Sequence, residues 1–200
     1  MIDTSASGEI SHGPNTEDVC LDDLPVIKLS TQNVNQASRI ARRRSQSYEK
    51  IDGGRIYGHQ SSYEAHLTGV IGETAVAEFY NTSINTRPSC HGDDGYDLNI
   101  HEVTIDVKTT RTSECSYPKL IVSANAKPTA DLYYLVHWVG SRVVRISGYA
   151  SRYRVFDRSP ERFPGEDLNY VVPCSELIVP PEEQPPHPAE EILFHEAEML

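Results

Sequence analysis

The stretch Val103–Arg111, VTIDVKTTR, alternates apolar and polar residues as a β-strand with one buried face does. Its apolar residues at alternate positions are predicted to point into a core, which puts Asp106 and Lys108 side by side on the other face. A surface pair of opposite charges contributes little to stability. The rest of the sequence therefore decides between an ordinary ion pair and one half of a functional site.

A second short strand, Tyr96–Ile100, precedes this stretch, and a turn at His101–Glu102 would join the two into a hairpin. The numbers of paired residues would then add up to 203, so that Asp97 lies opposite Asp106 on the same face. Two carboxylates in that position repel each other unless a cation lies between them. Carboxylate oxygens suit Mg²⁺, which completes its shell with water and substrate phosphate.

Residues 63–81, YEAHLTGVIGETAVAEFYN, carry the strongest helix signal in the chain. The residues that surround Glu73 on a helical projection are all uncharged, and a carboxylate on such a face is costly without a partner. Gly69 and Gly72 would let this helix approach a sheet closely. We expect a metal ion or Lys108 to be the partner of Glu73.

The remaining pattern predicts a single mixed α/β domain at residues 26–180, with a core at 63–150 and a mostly antiparallel sheet. Acidic tails are expected on both sides: 1–25, without fixed structure, and 181–200, which contains several prolines. The other expected elements are a polar helix from Thr31 to about Lys50 and strands at Lys119–Val122, Leu132–Val139, Arg142–Ser147 and within NYVVPCSELIVP.

The negative charge of the chain is concentrated in the tails. The formal net charge is −11, but each tail holds six acidic residues and no Lys or Arg, which leaves 17 acidic and 18 basic residues between them. This removes the electrostatic objection to a polyanionic substrate. The candidate phosphate contacts, which could equally form a solvated surface, are Arg39, Arg42, Arg43, Arg44, Arg111 and Lys119.

Several protein classes are excluded by what the sequence lacks. It has neither a long apolar run nor a basic leader followed by an apolar stretch, so we expect no membrane span and no secretory signal. The sequence contains neither a phosphate-binding loop nor a dinucleotide fingerprint, so we expect no small-molecule cofactor. The scattered cysteines are typical of reduced thiols in a cytoplasmic protein. A zinc site is a weaker alternative, with Cys90, His91, His101 and Cys115 as ligands.

Taken together, these residues resemble the PD-(D/E)xK nuclease superfamily, which includes many restriction endonucleases and Holliday-junction resolvases. The resemblance depends on the helix segment GVIGE at Gly69–Glu73, on Asp97 at a strand, and on the triplet DVK at Asp106–Lys108. It covers roughly residues 63–140. Tyr96 stands where the family has the Pro of its signature. Two further acids compete with Asp97 as the first ligand, namely Asp93 and Asp94.

The resemblance implies a restriction-endonuclease-like core, with a mostly antiparallel or mixed central sheet flanked by helices, and a metal-dependent DNA endonuclease. Asp97, Asp106 and the backbone carbonyl of Val107 would hold Mg²⁺ or Mn²⁺. Lys108 would position and activate the attacking water, and Glu73 would orient that water or help to bind a second ion.

The same resemblance implies pairing of two copies to cut two strands, and an origin in a virus or mobile element, with the host cytoplasm as location. The alternative is a non-catalytic nucleic-acid-binding or assembly subunit built on the same fold.

Overall fold

The computed structural model describes residues 24–48, 61–84, 95–111 and 118–187. The helices and strands predicted within these ranges are all present, with bounds that differ by a few residues, so the mixed α/β class is confirmed. In chain order the elements are β1 (Val26–Lys28), α1 (Thr31–Tyr48), α2 (Ser62–Phe79), β2 (Leu98–Ile100), β3 (Val103–Arg111), β4 (Lys119–Ser123), β5 (Leu132–Gly140), β6 (Val143–Ser151), α3 (Arg152–Phe156), β7 (Glu161–Arg162) and β8 (Leu168–Pro173), followed by a 3₁₀ turn at Cys174–Glu176.

These strands form two sheets. The larger has the order β1-β6-β5-β3-β2, and the smaller has the order β4-β8-β7. The pairs are antiparallel except for β3 with β5, which run parallel because the chain passes through β4 of the other sheet between them. The larger sheet has three antiparallel pairs and one parallel pair, which agrees with the prediction of a mostly antiparallel or mixed sheet. The second sheet, β1 and α3 were not predicted.

The central strand β5 is buried on both faces. Leu132, Tyr134 and Val136 belong to the hydrophobic cluster that includes α1 and α2. Tyr133 and Leu135 belong to a second cluster, with residues of β4, β8 and α3. This explains why LYYLV is a continuous apolar run, whereas β3 alternates between buried and half-buried residues over Val103–Val107.

Helix α2 lies directly on β3. Its N-terminus is fixed by a capping box in which Ser61 Oγ accepts from the Glu64 backbone N–H and the Glu64 carboxylate accepts from that of Ser61. A Cβ added at Gly72 would lie 1.9 Å from Thr109 Oγ1, so only glycine permits this approach. At Gly69 the nearest atom would be 3.9 Å away, so the predicted close approach is made at Gly72 alone.

The β2–β3 hairpin has the predicted register, since the numbers in each of its pairs add up to 203. Its turn residues, His101 and Glu102, have φ angles of 50° and 70°, as a two-residue type I′ turn requires. The ladder stops one step before Asp97 and Asp106.

Some of the predictions fall outside the described residues. These include most of both acidic tails, at 1–23 and 188–200. The competing acids and the zinc candidates in this group are Asp93, Asp94, Cys90, His91 and Cys115.

Candidate active site

Asp97 lies at the edge of the larger sheet, directly before β2. Its backbone N–H donates to the carbonyl of Ile105 at 2.8 Å, and its carboxylate Oδ2 accepts the backbone N–H of Val107 at 2.7 Å. The side chain therefore occupies the place that a strand carbonyl would take if β2 continued. This bond holds the carboxylate against β3, next to Asp106.

The pKa of Asp97 is raised from 3.8 to about 8. Desolvation is the largest cause, and the negative charges of Glu73 and Asp106 add to it. The Val107 N–H and the Lys108 ammonium act in the opposite direction. Three carboxylates therefore interact electrostatically here, and a bound cation would relieve their repulsion.

Asp106 and Lys108 form an ion pair on the face of β3 that points away from α2. Lys108 Nζ donates to Asp106 Oδ2 at 2.9 Å and lies 2.6 Å from Oδ1. Asp106 Oδ1 is buried and accepts no hydrogen bond of good geometry. The Lys108 side chain is 39% exposed, against 16% for Asp106, so the ammonium can reach solvent while the carboxylate stays fixed.

Glu73 is buried on α2, as the sequence predicted, but its partner differs from the prediction. Both of its carboxylate oxygens accept from the guanidinium of Arg44 on α1, at 2.5 and 2.9 Å. The expected partner, a metal ion or Lys108, is therefore replaced by a bidentate pair with a residue 29 positions away. Glu73 still acts on the site electrostatically, because its charge raises the pKa of Asp97.

The predicted phosphate contacts on α1 fall into two groups. Arg39, Arg42 and Arg43 are exposed. Arg42 lies 5.9 Å from the ring centre of Tyr63 on α2. Arg44 differs from them because it is engaged in the buried ion pair, so it is not positioned as a phosphate contact.

Arg111 and Lys119 each lie over an aromatic ring. The Arg111 guanidinium is 4.5 Å from the ring centre of Trp138, and Lys119 Nζ is 4.5 Å from that of Phe163. Cation–π contacts at exposed sites contribute about 0.5–1 kcal/mol. They orient the two cations beside the sheets without neutralising their charge.

A cleft of about 610 Å³ opens between the two sheets at Lys108. Sequence reasoning missed it, because its walls come from segments that meet only when the second sheet forms. The strongest sequence signal would have been Phe163–Pro164, an aromatic residue and a proline within a polar connection. The residues around the cleft include Lys108, Thr110, Lys119, Phe163, Pro164 and Asn169.

The oxygen atoms at this site match a hard cation in type. Asp97 and Asp106 supply carboxylates, and the buried Asp106 Oδ1 lies 2.6 Å from the Lys108 ammonium without a hydrogen bond of good geometry. Mg²⁺ commonly takes only one or two protein carboxylates and fills its shell with water and phosphate. Among the described residues, no cluster of three or more His, Cys, Asp or Glu side chains is arranged to hold a metal. The site therefore fits a two-carboxylate Mg²⁺ centre and not a closed structural one.

Within the four described ranges, no helix has both the length and the apolar character needed to cross a bilayer. No protein-family model, no curated protein and no solved structure matches the chain. The prediction of a restriction-endonuclease-like core is therefore not supported by a match to a known fold. The resemblance to that nuclease superfamily depends only on the sequence motifs described above.

Proposed function

We propose that the protein is a metal-dependent nuclease that hydrolyses phosphodiester bonds in DNA. One observation carries the proposal: the Asp97 carboxylate is held by the Val107 N–H beside Asp106, and Lys108, which pairs with Asp106, also lines a cleft. The neighbouring acids that help to raise the pKa of Asp97 to about 8 would be offset by a bound cation.

Each residue then has a role that follows from its contacts. Asp97 and Asp106 would hold Mg²⁺ or Mn²⁺, with the Val107 carbonyl as the further ligand that the resemblance implies. The bound ion supplies positive charge that offsets the charge on the phosphate under attack. Lys108, half exposed beside Asp106, would donate to the attacking water or to a phosphate oxygen.

Glu73 has a positioning role in this proposal. Both of its carboxylate oxygens accept hydrogen bonds from Arg44. Glu73 would therefore contribute negative potential beside Asp97 and would not bind the metal directly. The proposed DNA substrate would contact the exposed arginines of α1 through its phosphates.

Cleavage of supercoiled plasmid and of labelled single-stranded DNA tests the proposal, with Mg²⁺ or Mn²⁺ and with EDTA as control. We expect metal-dependent products from the wild type and a loss of about 100-fold or more in Asp106→Asn and Lys108→Ala. Lys127→Ala, at an exposed lysine between β4 and β5, is the matched control and should cut normally. Wild-type rates in Lys108→Ala, or no cutting at any salt concentration, would overturn the proposal.

The second candidate, a non-catalytic binding or assembly subunit, is favoured by one observation. Asp106 and Glu73 already have cationic partners within the chain, Lys108 and Arg44. Thermal unfolding with and without Mg²⁺ or Mn²⁺ separates the two candidates. An ion that binds the folded state raises Tm by mass action, and Asp106→Asn should abolish that shift. A binding-only subunit would show DNA binding without an ion-specific shift.

A further inference from the structure

The cleft between the two sheets shares Lys108 with the candidate active site, and Lys108 is the neighbour and ion-pair partner of Asp106. The facing wall is formed by Lys119 of β4 and by Phe163–Pro164, in the connection between β7 and β8. A volume of about 610 Å³ is typical of pockets that enclose one small molecule. Duplex DNA, with its two backbones and paired bases, is too large to enter, whereas a single nucleotide fits.

The walls of the cleft combine an aromatic ring, apolar side chains and two ammonium groups. Phe163 faces Lys119 Nζ at 4.5 Å, and Ile121 and Leu135 supply apolar surface. Lys108, which also pairs with Asp106, provides the second ammonium. This mixture suits a nucleobase, which stacks on the ring, attached to phosphates that pair with the lysines.

The wall that carries Phe163 is fixed by hydrogen bonds within the protein. Asn169 on β8 is 3% exposed, and its Nδ2 donates to the carbonyls of Phe163 and Asp167 at 2.6 and 3.1 Å. The backbone that carries the ring is therefore held in place without a ligand, which lowers the entropy cost of ordering this wall around a base.

We infer that this cleft holds one unpaired nucleotide next to the phosphate that is cut, so that the substrate is single-stranded DNA or a single-stranded end of a duplex. The inference rests on the proposed nuclease function. Phe163 stacks on the base, and Lys119 leaves the ring to contact the adjacent phosphate. A base paired within a duplex cannot reach the ring.

Fluorescence anisotropy with a labelled 15-nucleotide single strand and its duplex, in EDTA, tests the binding step. We expect the wild type to bind the single strand more tightly than the duplex. Phe163→Leu should weaken single-strand binding about 5-fold or more, as loss of a stacking contact does. Lys119→Met should weaken it as well and make it less dependent on salt, as loss of a phosphate contact does. The matched controls are Tyr153→Leu and Lys127→Met, both at exposed positions away from the cleft.

An abasic nucleotide moved along the same strand tests the position of the base. In Mg²⁺, cutting should be lost at the one phosphate beside the abasic position, and Phe163→Leu should remove this dependence. Equal cutting of single strand and duplex, unaffected by the abasic position, would overturn the inference and leave the nuclease standing. Absence of cutting on every DNA substrate would overturn the proposed nuclease function instead. In that case the binding test still decides the inference, which is overturned if both cleft variants bind the single strand as tightly as the wild type.

Discussion

At the scale of single residues, Asp97 is where stability and the proposed chemistry conflict. Its carboxylate receives one backbone hydrogen bond, from Val107, yet desolvation and the neighbouring acids raise its pKa to about 8. The folded state therefore holds a proton that the unfolded chain loses near the ordinary value of 3.8. The ionised form that would bind a cation is the form that the fold disfavours.

The Asp97→Asn variant should expose this conflict as a change in pH dependence. Between about pH 4 and pH 8 the folded wild type binds more protons than the unfolded chain, so its free energy of unfolding falls as pH rises and levels off above pH 8. Asn keeps an acceptor for Val107 but cannot ionise. We expect it to be more stable than the wild type by about 1–3 kcal/mol at pH 8, with the gain disappearing near pH 4.

Urea unfolding in EDTA at pH 4.5, 6 and 8 measures this difference. Glu102→Gln, at an exposed carboxylate in the hairpin turn, is the control for general effects of charge. A stability difference between Asp97→Asn and wild type that stays constant over the whole pH range would contradict the raised pKa.

At the scale of elements, the contact between α2 and β3 sets the position of Glu73 relative to the strand that bears Asp106. Gly72 allows this contact, and Arg44 of α1 completes it by binding the Glu73 carboxylate. The first feature packs α2 against β3, and the second links α1 to α2. Each can be tested by one substitution with a control in the same pair of helices.

Gly72→Ala should destabilise the protein although alanine is the better helix former. The added Cβ would meet Thr109 Oγ1 at 1.9 Å, which forces α2 away from β3 at a cost of about 1–3 kcal/mol. Gly69→Ala is the matched control, because it makes the same substitution in the same helix at a position with space for the Cβ. It should raise the free energy of unfolding by up to about 1 kcal/mol. Chemical denaturation of both variants checks the contrast. Equal stability of the two would show that α2 does not lie as close to β3 as described.

Arg44→Ala should be among the most damaging single changes in α1. It leaves the Glu73 carboxylate buried without its bidentate partner, which costs about 3–5 kcal/mol in comparable pairs. The double variant Arg44→Ala with Glu73→Gln should recover most of that loss, because no buried charge remains. Thermal unfolding of the single and double variants gives the coupling. Failure of the second change to restore any stability would contradict the ion pair as the cause.

At the scale of the whole molecule, the sequence predicts what is local and misses what is distant. The hairpin register followed from a two-residue turn, although His101–Glu102 is an unusual pair for positive φ. The two long helices followed from composition and periodicity. The positions of Asp97 and Asp106 depend on that hairpin, so their proximity was predictable.

The distant features were hidden for a physical reason. The partner of Glu73 lies on another helix, and no spacing rule connects Arg44 to it. The pairing of β4 with β8 joins strands separated by more than forty residues, so the second sheet and its cleft depend on tertiary packing that no local pattern encodes. The parallel pairing of β3 with β5 has the same origin, since β4 between them belongs to the other sheet.

The topology that separates β3 from β5 also dictates an order of assembly during synthesis. The β2–β3 hairpin contains only local contacts, so it can form as soon as it leaves the ribosome. Strand β3 gains β5 only after Leu132–Gly140 has been made, and the far wall of the cleft awaits Leu168–Pro173. The two aspartates of the proposed site therefore belong to a segment that is made well before the far wall of the cleft.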